Sequence, residues 1–302
     1  MSAVEMQSWL ANYSLYDLIL LLPALLVLWL YRRAVLRQLV PRPPVARAPL
    51  ALQFAYGVAL ALAAIALSIL PAWIGGGYKL GAGYATYGYT QGSSSANGLA
   101  MWQMFAVQSL CEELLFRGVS MLLLGVLLYW LSAHLLKPAA LRREPLSLGA
   151  RRWNHLNWLA CGVLSSLVVT LAFSQVHARN PAVSSLAMLN IALAGLVLGE
   201  LYWMQGTPLG AWALHLCWNA GLATLGLPDS GIVVTPPLSI LGFTGARAGL
   251  LSGGAFGPEG ALPNTIALAL IAAFLMWRMA RGLPPRNSLS GNGGSPLDEP
   301  GT

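Results

Sequence analysis

MWQMFAVQSLCEELLFRGVSMLLLGVLLYW, residues 101–130, is the stretch on which the reading of this chain turns. It is apolar almost throughout, yet Glu112, Glu113 and Arg117 sit in its middle. At ~1.5 Å of rise per residue, the full apolar run 99–135 is far longer than a hydrocarbon core of ~30 Å. It is therefore expected to bend or to lie partly along the interface, with Gly118 as the place. Ionisable groups at membrane depth cost a few kcal/mol on insertion scales and usually face a bundle interior or a water-filled cavity.

Composition sets the surroundings. Of 302 residues, 57% are hydrophobic and 9% are charged, against about 25% charged in an ordinary soluble domain. The formal net charge of +7 does not indicate nucleic acid, because the basic residues fall between apolar runs and not on one exposed face with aromatic platforms. Arg32, Arg33, Arg37, Arg42 and Arg47 share one gap. Lys137, Arg142, Arg143, Arg151 and Arg152 share another, and Arg278, Arg281 and Arg286 follow the last run. Cytoplasmic loops carry this bias.

The fold class is all-α: a polytopic integral membrane helix bundle of about seven spans, with eight allowed. The runs lie at 12–31, 50–74, 99–135, 157–177, 181–204, 208–226 and 262–280. Placing the basic loops inside puts the N-terminus outside and the C-terminus in the cytoplasm, with loops 75–98 and 227–261 outside. The first run ends in Arg32 and Arg33 without a small-residue cleavage site and reads as a retained anchor. The chain divides into an N-terminal membrane region, 1–98, and a core, 99–226. A Gly/Pro-rich loop, 227–261, then leads to a last helix, 262–283, and a polar tail, 284–302, expected to be disordered. Cys111, Cys161 and Cys217 lie in apolar segments and indicate no disulfide framework.

Helical spacing separates the two carboxylates. Glu113 and Arg117 are four apart in the order that favours an ion pair, while Glu112 points about 100° away. Two further segments carry polar groups into apolar runs. LAFSQVHARN (171–180) places His177 four residues after Phe173, and GAWALHLCWNAG (210–221) places His215 and Asn219 on one helical face. Converging in a bundle core, these groups hold the inventory for water attack on an amide: a carboxylate base, a group to hold the water, and donors for the oxyanion.

The order EExxxR, FxxxH, HxxxN, each motif in a hydrophobic helix, resembles the CPBP (Abi) family: type II CAAX prenyl endopeptidases and bacterial proteins linked to bacteriocin processing and self-immunity. The motifs stand here as Glu112, Glu113 and Arg117, then Phe173 and His177, then His215 and Asn219, and the likeness covers about residues 99–225. The resemblance implies a glutamate-dependent, metal-free and cofactor-free intramembrane endopeptidase acting on a peptide or prenylated protein in a lipid membrane. It implies that Glu112 activates water held by His177, that His215 and Asn219 stabilise the oxyanion, and that Glu113, Arg117 and Phe173 support the site. The apolar run continuing past Gly118 to Leu136 departs from the usual layout of the family. The N-terminal spans and the Gly-rich loop are peripheral to the likeness.

Other readings of the same residues are a zinc hydrolase on Glu112, His177 and His215, a cysteine enzyme on Cys111 or Cys217, and a serine enzyme on Ser174, which lacks a G-x-S-x-G elbow. A carrier would use a Glu/His relay lined by Gln103, Asn190 and Glu200, although no inverted repeat is evident; Glu200, beside Tyr202 and Trp203, reads more simply as interfacial. A non-catalytic immunity or scaffold protein could retain the same polar core.

Overall fold

The computed structural model describes residues 48–80, 98–145, 147–232, 243–245 and 249–281. The expected first span, 12–31, the basic segment after it and the tail 284–302 lie outside the described residues. Within them run α1 (Leu50–Ile74), β1 (Tyr78–Leu80), α2 (Gly98–Glu113), a π-helical stretch (Leu114–Met121), α3 (Leu122–Leu135) and α4 (Ala139–Arg143). There follow α5 (Leu148–Val176), α6 (Ser185–Gln205), α7 (Leu209–Thr224), β2 (Phe243–Gly245), 3₁₀ turns at Gly254–Phe256 and Pro258–Gly260, and α8 (Leu262–Ala280). The two short strands pair antiparallel, Tyr78 opposite Gly245.

The chain is an integral membrane helix bundle. Leu50–Ile74, Met101–Leu135, Leu148–Val176, Ser185–Gln205 and Leu262–Ala280 are long and apolar enough to cross a bilayer. The expected run 208–226 forms α7, which at 16 residues is shorter than the ~20 residues of a full span. It is nonetheless central, packed against α1, α2 and α6.

Small residues explain how α1 and α7 come so close. Gly57, Ala61, Ala64, Ser68 and Ala72 recur every three or four residues along the buried side of α1. A Cβ on Gly57 would stand 2.1 Å from the Gly210 carbonyl oxygen, so only glycine permits this crossing, the kind of small-residue interface that membrane helices use. Between α5 and α6 the same principle seats a large ring: a Cβ on Gly162 would fall 2.3 Å from the Trp203 indole. Trp203 Nε1 donates to the Trp158 carbonyl at 3.0 Å. Leucines including Leu62, Leu123, Leu164, Leu171 and Leu270 are exposed around the outside, where lipid would cover them.

Two boundaries differ from the hydropathy reading because caps, not apolarity, set them. α5 begins at Leu148 and not at 157: Ser147 Oγ accepts from the Ala150 N–H at 3.2 Å, and the polar turns bearing Arg151 and Arg152 are helical. α6 begins at Ser185 and not at 181, where Ser184 Oγ accepts from the Ala187 N–H at 3.1 Å, and ends at Gly206 in the left-handed region, φ 69°. In the long run 99–135 the helix continues unbroken, and the departure from α geometry is the π stretch Leu114–Met121, which contains Gly118. It follows directly on Glu113, where π geometry is common at functional sites.

Candidate active site

Glu113 is the centre of the buried polar cluster. Its side chain is fully buried, and its Oε1 accepts from Arg117 Nη1 at 3.0 Å. The same oxygen lies 2.8 Å from His215 Nδ1. A carboxylate oxygen beside a guanidinium can only accept, so His215 carries its proton on Nδ1 and presents Nε2 away from Glu113. Arg117 Nη2 donates in addition to the Gly195 carbonyl on α6 at 3.2 Å, which binds the pair to a third helix.

Glu112 lies on the other side of its helix turn. Its Oε1 accepts from Gln108 Nε2 at 3.4 Å. Its Oε2 stands 3.9 Å from His215 Nε2 and is buried without a hydrogen-bond partner among the described residues. The side chain keeps 23% of its surface accessible, against 0% for Glu113. Adjacent glutamates thus have unequal surroundings: Oε1 of Glu113 takes donors from Arg117 and His215, while Glu112 has a long bond from Gln108 and partial exposure; Oε2 of each is buried without a hydrogen-bond partner among the described residues.

The FxxxH motif joins through its rings. His177 Nδ1 lies 2.8 Å from the Phe173 carbonyl; since a carbonyl only accepts, Nδ1 holds the proton and Nε2 keeps its lone pair. Phe173 stands between the two imidazoles, its centroid 4.8 Å from that of His177 and 6.1 Å from that of His215. The Arg117 guanidinium lies 4.5 Å above the same ring, a cation–π contact in a desolvated place. His177 and Glu112 make no direct hydrogen bond or ion pair. Asn219 is buried one turn beyond His215 on α7. Glu112 and Glu113 of α2, Arg117 of the π stretch, Phe173 of α5 and His215 of α7 therefore lie together.

The family comparison bears on this set of residues. Residues 94–221 match the model of the family described as type II CAAX prenyl endopeptidase Rce1-like. The likeness to that family is carried by this segment of the chain. Every motif residue, from Glu112 to Asn219, falls within the Rce1-like segment, which is of the CAAX-type membrane endopeptidase kind. No curated protein and no solved structure matches the chain.

Two groups beyond the Rce1-like segment were missed by sequence reasoning. Glu259 Oε1 accepts from Trp218 Nε1 at 3.1 Å, and its Oε2 accepts from the Ser230 N–H at 2.6 Å and the Ser230 hydroxyl at 2.8 Å. Trp218 is the residue between Cys217 and Asn219 on α7. Asp229, next to Ser230, is also buried. Burial first, then the nearby charges of Glu259 and Glu112, push its carboxyl well above the ordinary range.

The described ends of the Gly/Pro-rich loop fold onto the bundle. Leu227 and Phe256 are buried, and the Gly231 N–H donates to the Phe256 carbonyl at 3.0 Å. Phe256 packs with Phe173, Ala187 and Ile191. Spacing could not have found these contacts, because no periodic pattern links a glycine-rich loop to helix residues far from it in the chain.

Several other expectations change. Glu200, together with Tyr202 and Trp203, is buried in the bundle and not interfacial, because its turn of α6 faces neighbouring helices. Asn190 donates to the carbonyls of Glu259 and Ala261 at 2.7 and 2.9 Å and accepts from Thr265 at 2.6 Å, so its amide fastens α6 to the start of α8. Gln103 is exposed on α2. Cys111, Cys161 and Cys217 form no disulfide with one another. Among the described residues no three His, Cys, Asp or Glu side chains are gathered as a metal ion needs them.

Proposed function

We propose that this protein is a glutamate-dependent intramembrane endopeptidase that hydrolyses a peptide bond near the C-terminus of a prenylated or other membrane-associated peptide or protein, without metal or cofactor. The observation that carries the reading is the unequal pair of glutamates: Glu113 is fully buried, neutralised by Arg117 and engaged by His215, while Glu112 is partly accessible and holds Oε2 3.9 Å from His215 Nε2. An open carboxylate in a partly desolvated site is a suitable base for water. His177, with its proton committed to the Phe173 carbonyl, offers Nε2 as an acceptor that orients the same water. His215, carrying a second proton on Nε2 as an imidazolium, and the Asn219 carboxamide then donate to the oxyanion as the carbonyl becomes tetrahedral. Phe173 and Arg117 keep the two imidazoles apart and fixed.

The catalytic core in this reading spans 99–226, carried in the plasma membrane of a bacterium with the N-terminus outside and the C-terminus in the cytoplasm. Its partners are membrane lipids and the peptide substrate, and not nucleic acid. Cleavage by the purified full chain in lipid nanodiscs, offered a mixed library of prenylated and unmodified peptides with and without a strong chelator, tests the reading. Chelator-resistant cleavage is expected. Cleavage abolished by the chelator and restored by added zinc would replace the glutamate mechanism with a metal-dependent one.

A further inference from the structure

The described ends of the Gly/Pro-rich loop hold two acidic residues with different employment. Glu259 is satisfied: its two oxygens take three donors, from Trp218 and Ser230, at 3.1, 2.6 and 2.8 Å. Both donors of Oε2 come from the residue after Asp229, so Glu259 ties the segment bearing Asp229 to α7 one residue from Asn219. Asp229 itself is fixed by its backbone. Its N–H donates to the Ile232 carbonyl at 2.9 Å, and its carbonyl accepts from the Ile232 N–H at 2.8 Å. Its side chain is another matter: only 7% of the residue is accessible, yet Oδ1 is buried with no hydrogen-bond partner among the described residues.

A buried carboxyl with one oxygen left unpartnered calls for a use, since burying a polar oxygen without a partner is costly. The titratable groups that act on Asp229 are Glu259 from the 3₁₀ turn and Glu112 from α2. Two acidic neighbours and burial all favour the neutral form, so Asp229 keeps its proton into a range where an ordinary carboxyl has lost it. A protonated acid within the field of the base is what amide hydrolysis needs for its second half. Paired carboxyl groups with unlike surroundings divide the acid and base roles in this way.

We propose that Asp229 is the acid that protonates the departing amine. The inference rests on the reading above, in which Glu112 takes a proton from water. As the new C–O bond forms, that proton passes to Glu112. The C–N bond then breaks with its electron pair moving to nitrogen, and nitrogen receives the proton of Asp229. The proton held by Glu112 returns to Asp229, so one water is consumed and no other reagent is required. Asp229 lies beyond the segment that matches the family model, so the acid comes from the capping loop and not from the three helix motifs.

The test compares two substrates of one sequence in nanodiscs: a peptide, and an ester analogue whose nitrophenolate leaves without protonation. General acids typically contribute ~100-fold or more, so Asp229→Asn is expected to lower kcat for the peptide by about that factor and for the ester by less than about threefold. The alkaline limb of the peptide pH profile should disappear in Asp229→Asn, and Asp229→Glu should recover cleavage with that limb. Ester turnover reports folding, so a misfolded variant cannot imitate the result. An equal fall on both substrates assigns Asp229 a structural role and overturns the proposal, as does unchanged peptide cleavage. Glu112→Gln is the control for the parent reading: it should abolish turnover of both substrates, and its survival would remove that reading and the acid with it.

Discussion

The floor of the site and the cap over it are built by opposite means. The floor is charge locked to charge across helices: Glu113 Oε1 takes Arg117 and His215 while Arg117 reaches the Gly195 carbonyl. The cap is a loop held by backbone turns, glycines at positive φ and one carboxylate, Glu259. A membrane interior makes the first device hard to break, because each buried charge that loses its partner has nowhere to be solvated. The second can be loosened one bond at a time. Function follows the same division in this account, with water activation on the helices and the closing acid on the loop.

The comparison breaks most readily at Glu113. Glu113→Ala leaves the Arg117 guanidinium buried with one backbone carbonyl, and the loss is expected to be about 3–5 kcal/mol, read as thermal unfolding in detergent. Glu112→Ala, which removes a partly exposed side chain with a long bond from Gln108 and a 3.9 Å contact to His215, should lose no more than ~1 kcal/mol. Equal losses from the two variants would mean that the glutamates share one environment.

On the cap, Gly257 tests the backbone. It sits at φ 90°, and a Cβ there would meet the Pro228 carbonyl oxygen at 2.3 Å. Gly257→Ala is expected to cost about 1–3 kcal/mol and to raise hydrogen exchange at 227–232 while the floor stays protected. Exchange rising equally in α2 and α7 would merge the two regions into one cooperative unit. Glu259→Gln weakens the bonds from Ser230 and Trp218 without changing shape and should cost ~1 kcal/mol, with the same exchange pattern in smaller measure.

Legibility followed the same line. Glu113 with Arg117, and His215 with Asn219, could be found because helix periodicity fixes which residues share a face. The join between His177 and the rest could only be guessed, since it runs through the Phe173 ring and not through a spacing. Helix starts at Leu148 and Ser185 were hidden by polar first turns, where serine caps decide the boundary. Asp229 and Glu259 were illegible: LPDSG (227–231) and PEG (258–260) read as turns, and nothing local says that these turns meet over α7.

The smallest expected effect is a pH dependence of the cap. Asp229 has a raised carboxyl in the folded chain and an ordinary one when unfolded, so the folded state binds the extra proton. Its stability is therefore highest below the ordinary carboxylate range and falls as pH rises through the raised value. Unfolding measured over a pH series should show this slope in the wild type and lose it in Asp229→Asn. A slope of opposite sign, or one unchanged in the variant, would assign the titration elsewhere.

The unequal glutamates are tested most directly by Glu112→Gln, measured for peptide cleavage and thermal unfolding on the same preparation. The change keeps the shape and the Gln108 contact and removes the basicity. Cleavage is expected to fall at least ~1000-fold with the unfolding temperature unchanged. Cleavage within a few-fold of wild type, or an unfolding temperature lowered as far as in Glu113→Ala, would contradict the assignment of Glu112 as the base.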